Sequence, residues 1–594
     1  MTADAGIGRT AGPRVWAPEA GRVELLVEGE QPRPLARGGD GWWYSPPGAE
    51  ILPPGTRYGF SVNGGTPRPD PRSGSQPDGV DGWSAVVDHG AFVWTDGDWR
   101  GLPLPGAVLY ELHVGTFTPE GTFDAVIGRL PHLRRLGVDA VELLPVVEFP
   151  GDRGWGYDGV DLFAPHHAYG GPEGLKRLVD ACHGAGLGVV LDVVYNHLGP
   201  TGNHLREFAP YFSSTHETGW GPAVNFDGAH SEGVRRFVVD NALMWLRDYH
   251  ADGLRLDAVH AYVDDSATHI LEELAVEVDA LAAHVRKPLF LVAESDRNDP
   301  RLVRSRDAGG YGLDAVWADD WHHALHAALT GERTGYYEDY GTIERLAKAL
   351  RRAWVYDGTW SGHRQRRHGR PADGVGGSRF VVCTQNHDQT GNRAQGERLA
   401  ALVPPARLRI AAALLFTSPF VPLLFQGEEW GASSPFQYFT DHRDPELGRA
   451  VSEGRRREFA AFGWEPASVP DPQDETTFVR SRLAWAEAAD GDHAVLLDWY
   501  RSLAALRREW PELTDPRLER VDVRFDEEAR WLVVTHGSVL VAVNLGAATI
   551  LPVPGGVDVL LASPADVRCE GEQLALPADA VVIGRTAARP AGDG

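Results

Sequence analysis

Four short segments of this chain each set a carboxylate where an apolar, β-branched run stops. They are Asp192-Val193-Val194-Tyr195-Asn196-His197, Gly253-Leu254-Arg255-Leu256-Asp257, Ala293-Glu294-Ser295-Asp296 and Gln385-Asn386-His387-Asp388. In a barrel of parallel strands such stops fall on one face, where active sites lie. Three acids converging there, Asp257, Glu294 and Asp388, suit cleavage of a glycosidic bond. One carboxyl can attack the anomeric carbon while a second protonates the departing oxygen.

Each acid also has a plainer reading. Arg255 and Asp257 project to the same side of a strand, two residues apart. The guanidinium favours the ionised carboxylate that a nucleophile needs, although a structural Arg–Asp pair would look the same. Glu294 closes the apolar run Phe290-Leu291-Val292-Ala293, and such surroundings raise a carboxyl pKa towards that of a proton donor. It could equally be a strand-end acid. Asp388 lies among polar residues directly after Val381-Val382, which is a poor composition for core. His197, His260 and His387 each follow a strand and read better as donors to sugar hydroxyls than as metal ligands, because no His-x-His or His-Glu-x-x-His spacing occurs. Trp155, Tyr157, Trp220, Trp317, Trp321, Trp360 and Trp430 offer stacking faces for sugar rings; about half of them are expected to be core.

The elements that must position these groups alternate. Strands are expected at Ala107–Val114, Ala140–Leu144, Gly188–Val194, Gly253–Asp257, Leu289–Glu294, Ala315–Ala318, Phe380–Thr384 and Val421–Phe425, with helical patterns such as Thr122–Leu136, Gly174–Ala185, Gly233–Tyr249 and Ala267–Val285 between them. Eight alternations predict an α/β fold, a (β/α)8 TIM barrel. The aperiodic stretch Leu198–Ser231 is too long for a connector and reads as a substrate-facing wall. Residues 1–100 read as an N-terminal β-sandwich, 101–518 as the barrel with loop insertions, and 519–594 as a C-terminal antiparallel β-domain. The Pro/Asp/Gly-rich stretch from Pro67 to Gly82 is expected to be an ordered loop.

With 594 residues, 43% hydrophobic and 24% charged, the composition is that of a multidomain globular enzyme. A formal charge of −26 disfavours nucleic acid and anionic membranes as partners but is indifferent to a neutral glucan. Cys182, Cys383 and Cys569 are scattered and odd in number, so neither a disulfide framework nor a zinc site is signalled. Met1 to Arg14 holds no apolar stretch of a secretory signal, so the cytoplasm is the expected location.

In this order the four segments resemble the signature regions of the α-amylase superfamily of glycoside hydrolases. The resemblance implies a retaining double displacement with Asp257 as nucleophile, Glu294 as acid/base and Asp388 as transition-state stabiliser. It places Arg255 and His387 beside the bound sugar, Asp192, Asn196 and His197 in the first region, and Tyr157 as the stacking tyrosine. A closer likeness, to the maltooligosyltrehalose trehalohydrolase family, is carried by Tyr110 to Thr118, Gly154 to Val160, Ala293 to Asp296 with Asn298 to Arg301, Asp319 to His323 and Gln385 to Asn392. That family hydrolyses the α-1,4 bond joining a maltooligosaccharide to a terminal trehalose unit. It implies substrate contacts from Arg255, Leu256, Ala258, Val259 and His260, from Asp319, Asp320, Trp321, His322 and His323, and from His387, Gln389, Thr390, Gly391 and Asn392. Trp321 stands where the family has Phe.

The resemblance implies a maltooligosyltrehalose synthase as functional partner. No cofactor is expected and no metal; calcium, bound by some superfamily members near the position of Asn196, is not compelled by any Asp-rich loop. Asp264 and Asp265 are expected to be solvated or capping. One rival is a glycogen branching enzyme, whose fourth region reads His-Asp-Glu where this chain has His387-Asp388-Gln389. A rival of another class is a non-catalytic glucan-binding protein on an amylase fold, which would not need all three acids.

Overall fold

A computed structural model of the chain describes residues 12–461 and 469–586. Most of the N-terminal stretch read for a signal lies outside them. Eight strands close a parallel barrel in chain order: β1 (Leu109–Leu112), β2 (Ala140–Leu143), β3 (Gly188–Val193), β4 (Gly253–Leu256), β5 (Phe290–Ala293), β6 (Ala315–Trp317), β7 (Phe380–Cys383) and β8 (Val421–Phe425). Every residue of these strands is buried. This is why they read as continuous apolar runs rather than alternating ones.

Side-chain alternation decides the site. A separate inner cluster holds Leu109, Ala140, Val190, Val292, Trp317, Val381 and Leu423. Two residues further along the same strands, and therefore on the same inward face, come Glu111, Glu142 and Asp192; Glu294 directly follows β5, and Asp319 opens the helix Asp319–Thr330 after β6. On β4 the inward positions are Gly253, Arg255 and Asp257. Gly253 is required there, because a Cβ would stand 2.3 Å from the Phe290 ring. The outward residues, among them Leu254 and Leu256, belong to the main core with the surrounding helices.

The helix expected over Thr122–Leu136 is two, Phe123–Ile127 and Leu130–Leu136, because Gly128 caps the first and Pro131 starts the second. The other three expected helices form at Gly171–Gly184, Ser231–Arg247 and Ile270–Val285. The stretch read as aperiodic folds partly into an antiparallel hairpin of Phe212–Thr218 with Gly221–Val224. A second hairpin, Asp357–Ser361 with Arg366–Gly369, follows β6. Before the barrel lie a three-stranded and a four-stranded antiparallel sheet. The loop expected to be ordered joins strands Arg57–Val62 and Ser84–Ala85 of the four-stranded sheet, and it is ordered: Gln76 is buried, accepting from Ser73 Oγ at 2.7 Å and donating to the Gly79 carbonyl at 3.1 Å. After the barrel comes a five-stranded antiparallel sheet, with Ala580–Thr586 between Val539–Asn544 and Val557–Ser563. Among the described residues no helix is long and apolar enough to cross a membrane.

Candidate active site

Arg255, fully buried at the end of β4, organises the barrel mouth. Its Nη1 donates to both oxygens of Asp192 at 2.9 Å and to Asp257 Oδ1 at 2.6 Å, and its Nη2 lies 3.8 Å from Glu294 Oε2. Below it the guanidinium carbon stands 4.4 Å from the centre of the Trp317 ring. One cation therefore faces three carboxyls in a desolvated space, where charge interactions are strong.

The carboxyls differ in setting. Burial drives the Glu294 pKa well above its ordinary value, with Arg255 opposing and Asp257 reinforcing the shift. Glu294 Oε2 also accepts from the Ala258 amide at 2.7 Å. To present that amide, Ala258 adopts a left-handed conformation (φ 41°), a strained state for a residue with a Cβ that the site maintains. Asp192 is pushed up to about 6 by burial against the pull of Arg255. Asp319 is raised to about 7, by burial and then by Asp388. Asp388 is the open acid, its side chain 44% exposed. It sits in the short helix His387–Gly391, whose N-cap Asn386 accepts from the amides of Asp388 and Gln389.

Tyr157 and His387 form the wall. The Tyr157 hydroxyl donates to Asp192 Oδ2 at 2.6 Å and meets His387 Nε2 at 2.7 Å, and the two rings stack 5.2 Å apart at 21°. His197 Nε2 bonds the Tyr157 carbonyl at 3.0 Å, and its ring stacks on Trp220 at 5.2 Å. Asn196 donates to His197 Nδ1, while its buried carboxamide oxygen has no partner. His260 lies 6.5 Å from Trp220. Gln389 reaches Asp319 at 3.4 Å, Asn392 is exposed beside Asp388, and Thr390 and Gly391 are buried behind them. His323 faces Tyr336 at 4.7 Å.

Other expected contacts are not brought to the mouth. Leu256, Val259 and Trp321 pack into the main core. Asp320 is buried, and its oxygens are taken by Tyr340, Asn298 and the amides of Val355 and Tyr356. His322 is buried against His323 and His326. Of the seven aromatics, Trp155, Trp317, Trp321 and Trp430 are buried, whereas Trp220 (52%) and Trp360 (56%) are exposed. Asp264 is not solvated: its buried carboxylate pairs with Arg235 at 2.7 Å and accepts from the Ser266 and Ile270 amides, while His269 is the N-cap of the helix that follows.

Two inward acids escaped the sequence reading. Glu111 on β1 grips His387, and Glu142 beside it on β2 is held far above its ordinary pKa by burial and by Glu111. Their signal is an acid embedded in an apolar strand at inward parity. Among the described residues, Glu148–His166–His167 and His216–Asp227–Asp265 have the spacing to hold a metal ion. In the first group His166 Nδ1 accepts the Ala168 amide and Glu148 already bonds His167, so the set is satisfied without one. Neither group includes Asn196 or any of the three acids.

A match to the α-amylase catalytic domain covers residues 75–217, and one to a domain of unknown function (DUF3459) covers 516–583. Over 546 residues the chain is 54% identical to a malto-oligosyltrehalose trehalohydrolase of Arthrobacter ramosus, covering 91% of this chain and 94% of that one. It is 51% identical to one of Rhizobium sp. over 95% of this chain and 96% of the relative. The crystal structure of a putative α-amylase from Salmonella typhimurium superposes with a TM-score of 0.88 at 38% identity, covering 97% of both chains. Barrel, acid cluster and matches together define a glycoside hydrolase of the α-amylase class. Within that class the chain belongs to the malto-oligosyltrehalose trehalohydrolase family.

Proposed function

We propose that the chain hydrolyses the α-1,4-glucosidic bond next to the terminal trehalose unit of maltooligosyltrehalose, releasing trehalose and a maltooligosaccharide with retention at the anomeric carbon. The specificity rests on the near-full-length match to the family, and the observation that carries the chemistry is the division of labour around Arg255: Asp257 lies 2.6 Å from the guanidinium, while burial raises the Glu294 pKa and favours its protonated form. In the first step an Asp257 oxygen bonds to the anomeric carbon as the bond to the trehalose oxygen breaks, and Glu294 gives that oxygen its proton. In the second, Glu294 takes a proton from water, whose oxygen displaces Asp257. Asp388, open to the cleft, holds sugar hydroxyls as positive charge develops on the ring. Tyr157, stacked against His387, supports the face of that ring, and Trp220 with His260 lines the approach.

The catalytic unit in this reading is 101–518, flanked by the two β-domains. Three unbridged cysteines suit the reducing cytoplasm, and the trehalose-ended substrate calls for a maltooligosyltrehalose synthase acting beforehand. The test of mechanism is the anomeric form of the new reducing end, followed by proton NMR within seconds of adding maltotriosyltrehalose. The α-anomer appearing first is expected; the β-anomer would overturn the double displacement.

A further inference from the structure

On that reading of the site, one buried acid outside the three has work to do. Glu111 sits near the end of β1, and its carboxylate engages a single residue twice: Oε1 accepts from His387 Nδ1 at 2.6 Å and Oε2 from the His387 backbone amide at 3.0 Å. The other ring nitrogen, Nε2, lies 2.7 Å from the Tyr157 hydroxyl, which itself donates to Asp192 at 2.6 Å. Asp192 then meets Arg255, and Arg255 meets Asp257. The row thus runs from β1 to the expected nucleophile through side-chain contacts alone.

Above the Asp192 pKa of about 6, where that carboxyl is ionised, proton counting along the row gives one consistent solution. A carboxylate accepts and does not donate, so Nδ1 must carry a hydrogen. The Tyr157 hydroxyl has one hydrogen, and Asp192 receives it. His387 Nε2 must therefore donate to the Tyr157 oxygen, which requires a hydrogen on that nitrogen too. A neutral imidazole cannot fill both places. We propose that Glu111 is a positioning residue of the reaction, holding His387 as the doubly protonated imidazolium and thereby fixing Tyr157 and Asp192 against the sugar that is cleaved.

The surroundings agree. Burial would lower the His387 pKa, yet Glu111 and then Asp388 raise it to about 9, with Arg255 opposing. The other titratable groups that face the ring are Tyr157 and Asp192, already in the row, Glu142 from β2, and His113 just past β1. Burial and then Glu111 push the Glu142 pKa well up, which disfavours its charged form, and burial pushes His113 down to about 4, so both are poor rivals to Glu111 as counter-ion.

Glu111→Gln separates charge from shape. A carboxamide meets the same two N–H groups with one acceptor and one donor, so the ring is driven to release its Nδ1 proton, while Nε2–H can still reach Tyr157. The experiment is nitrogen NMR of the full chain labelled with ¹⁵N-histidine at pH 7.5, with His387 assigned by signals lost in His387→Gln, alongside trehalose release from maltotriosyltrehalose. Expected are two protonated ring nitrogens in the parent, one in Glu111→Gln, and a kcat/KM lower by about tenfold, the worth of one charge-assisted hydrogen bond. A neutral His387 in the parent would overturn the proposal without need of any variant. So would a Glu111→Gln protein with a neutral ring and kcat/KM within twofold of the parent. A parent that releases no trehalose would sink the proposed activity, while the spectra would still decide the state of His387.

Discussion

At the scale of residues, the mouth is built so that two carboxyls of similar chemistry behave oppositely. Asp257 is held by a buried guanidinium; Glu294 is shielded and touched by a single amide. Replacing Glu294 by Gln keeps the shape and the Ala258 contact but removes the transferable proton. We expect kcat to fall by about 10²–10⁴-fold with KM little changed, read from initial rates of trehalose release. Arg255→Leu should act differently. It strands Asp192 and Asp257 in a desolvated space, and breaking a buried pair from one side costs about 3–5 kcal/mol. Denaturant unfolding should show that loss, and activity should vanish with it. The three acids were legible in the sequence because each ends an apolar run. Glu111 and Glu142 were not, since an acid inside such a run reads as an interruption until the strand's inward parity is known.

At the scale of elements, the strands were the most legible feature, their ends expected to within a residue or two, because both faces are buried and the apolar run is as long as the strand. The hairpins were not. Phe212–Thr218 and Asp357–Ser361 are rich in polar residues, and pairing, rather than any pattern of burial, makes them strands. Nor could a motif tell that Trp321 and Asp320 turn into the protein, because the first helical turn after β6 presents only part of its circumference to the cleft. The helix His387–Gly391 offers a test of how tightly these elements are fitted. A Cβ at Gly391 would stand 2.0 Å from the Trp155 ring, which packs edge-on to Tyr157 and to His387. Gly391→Ala should therefore destabilise by about 1–3 kcal/mol, as overpacking does, and displace Trp155 enough to lower kcat; thermal unfolding and initial rates check both.

At the scale of the whole molecule, buried protons set how stability responds to alkali. Burial lifts Glu428, which lies just past β8 and accepts from Thr384 and Tyr500, to about 8, and Glu111 holds His387 up at about 9. The unfolded chain releases the Glu428 proton near pH 4 and the histidine proton near pH 6.5. Both folded values are raised, so the stability they bring is present at low pH and lost as pH rises through about 8 and about 9. Each proton held only in the folded state costs about 1.4 kcal/mol per pH unit. The melting temperature should therefore fall between pH 7 and pH 9, and Glu428→Gln should flatten that fall; a melting temperature that rose over this interval would contradict the assignment.

The family's distinguishing property is its leaving group, since acids placed like these could serve any α-glucan hydrolase. The most direct measurement is to incubate the purified protein with equal concentrations of maltotriosyltrehalose and maltopentaose, in parallel, and quantify trehalose and glucose oligomers over time. Rapid trehalose release from the first, with much slower attack on the second, is the predicted result. Equal hydrolysis of both, or transfer into branched products with no trehalose, would contradict it.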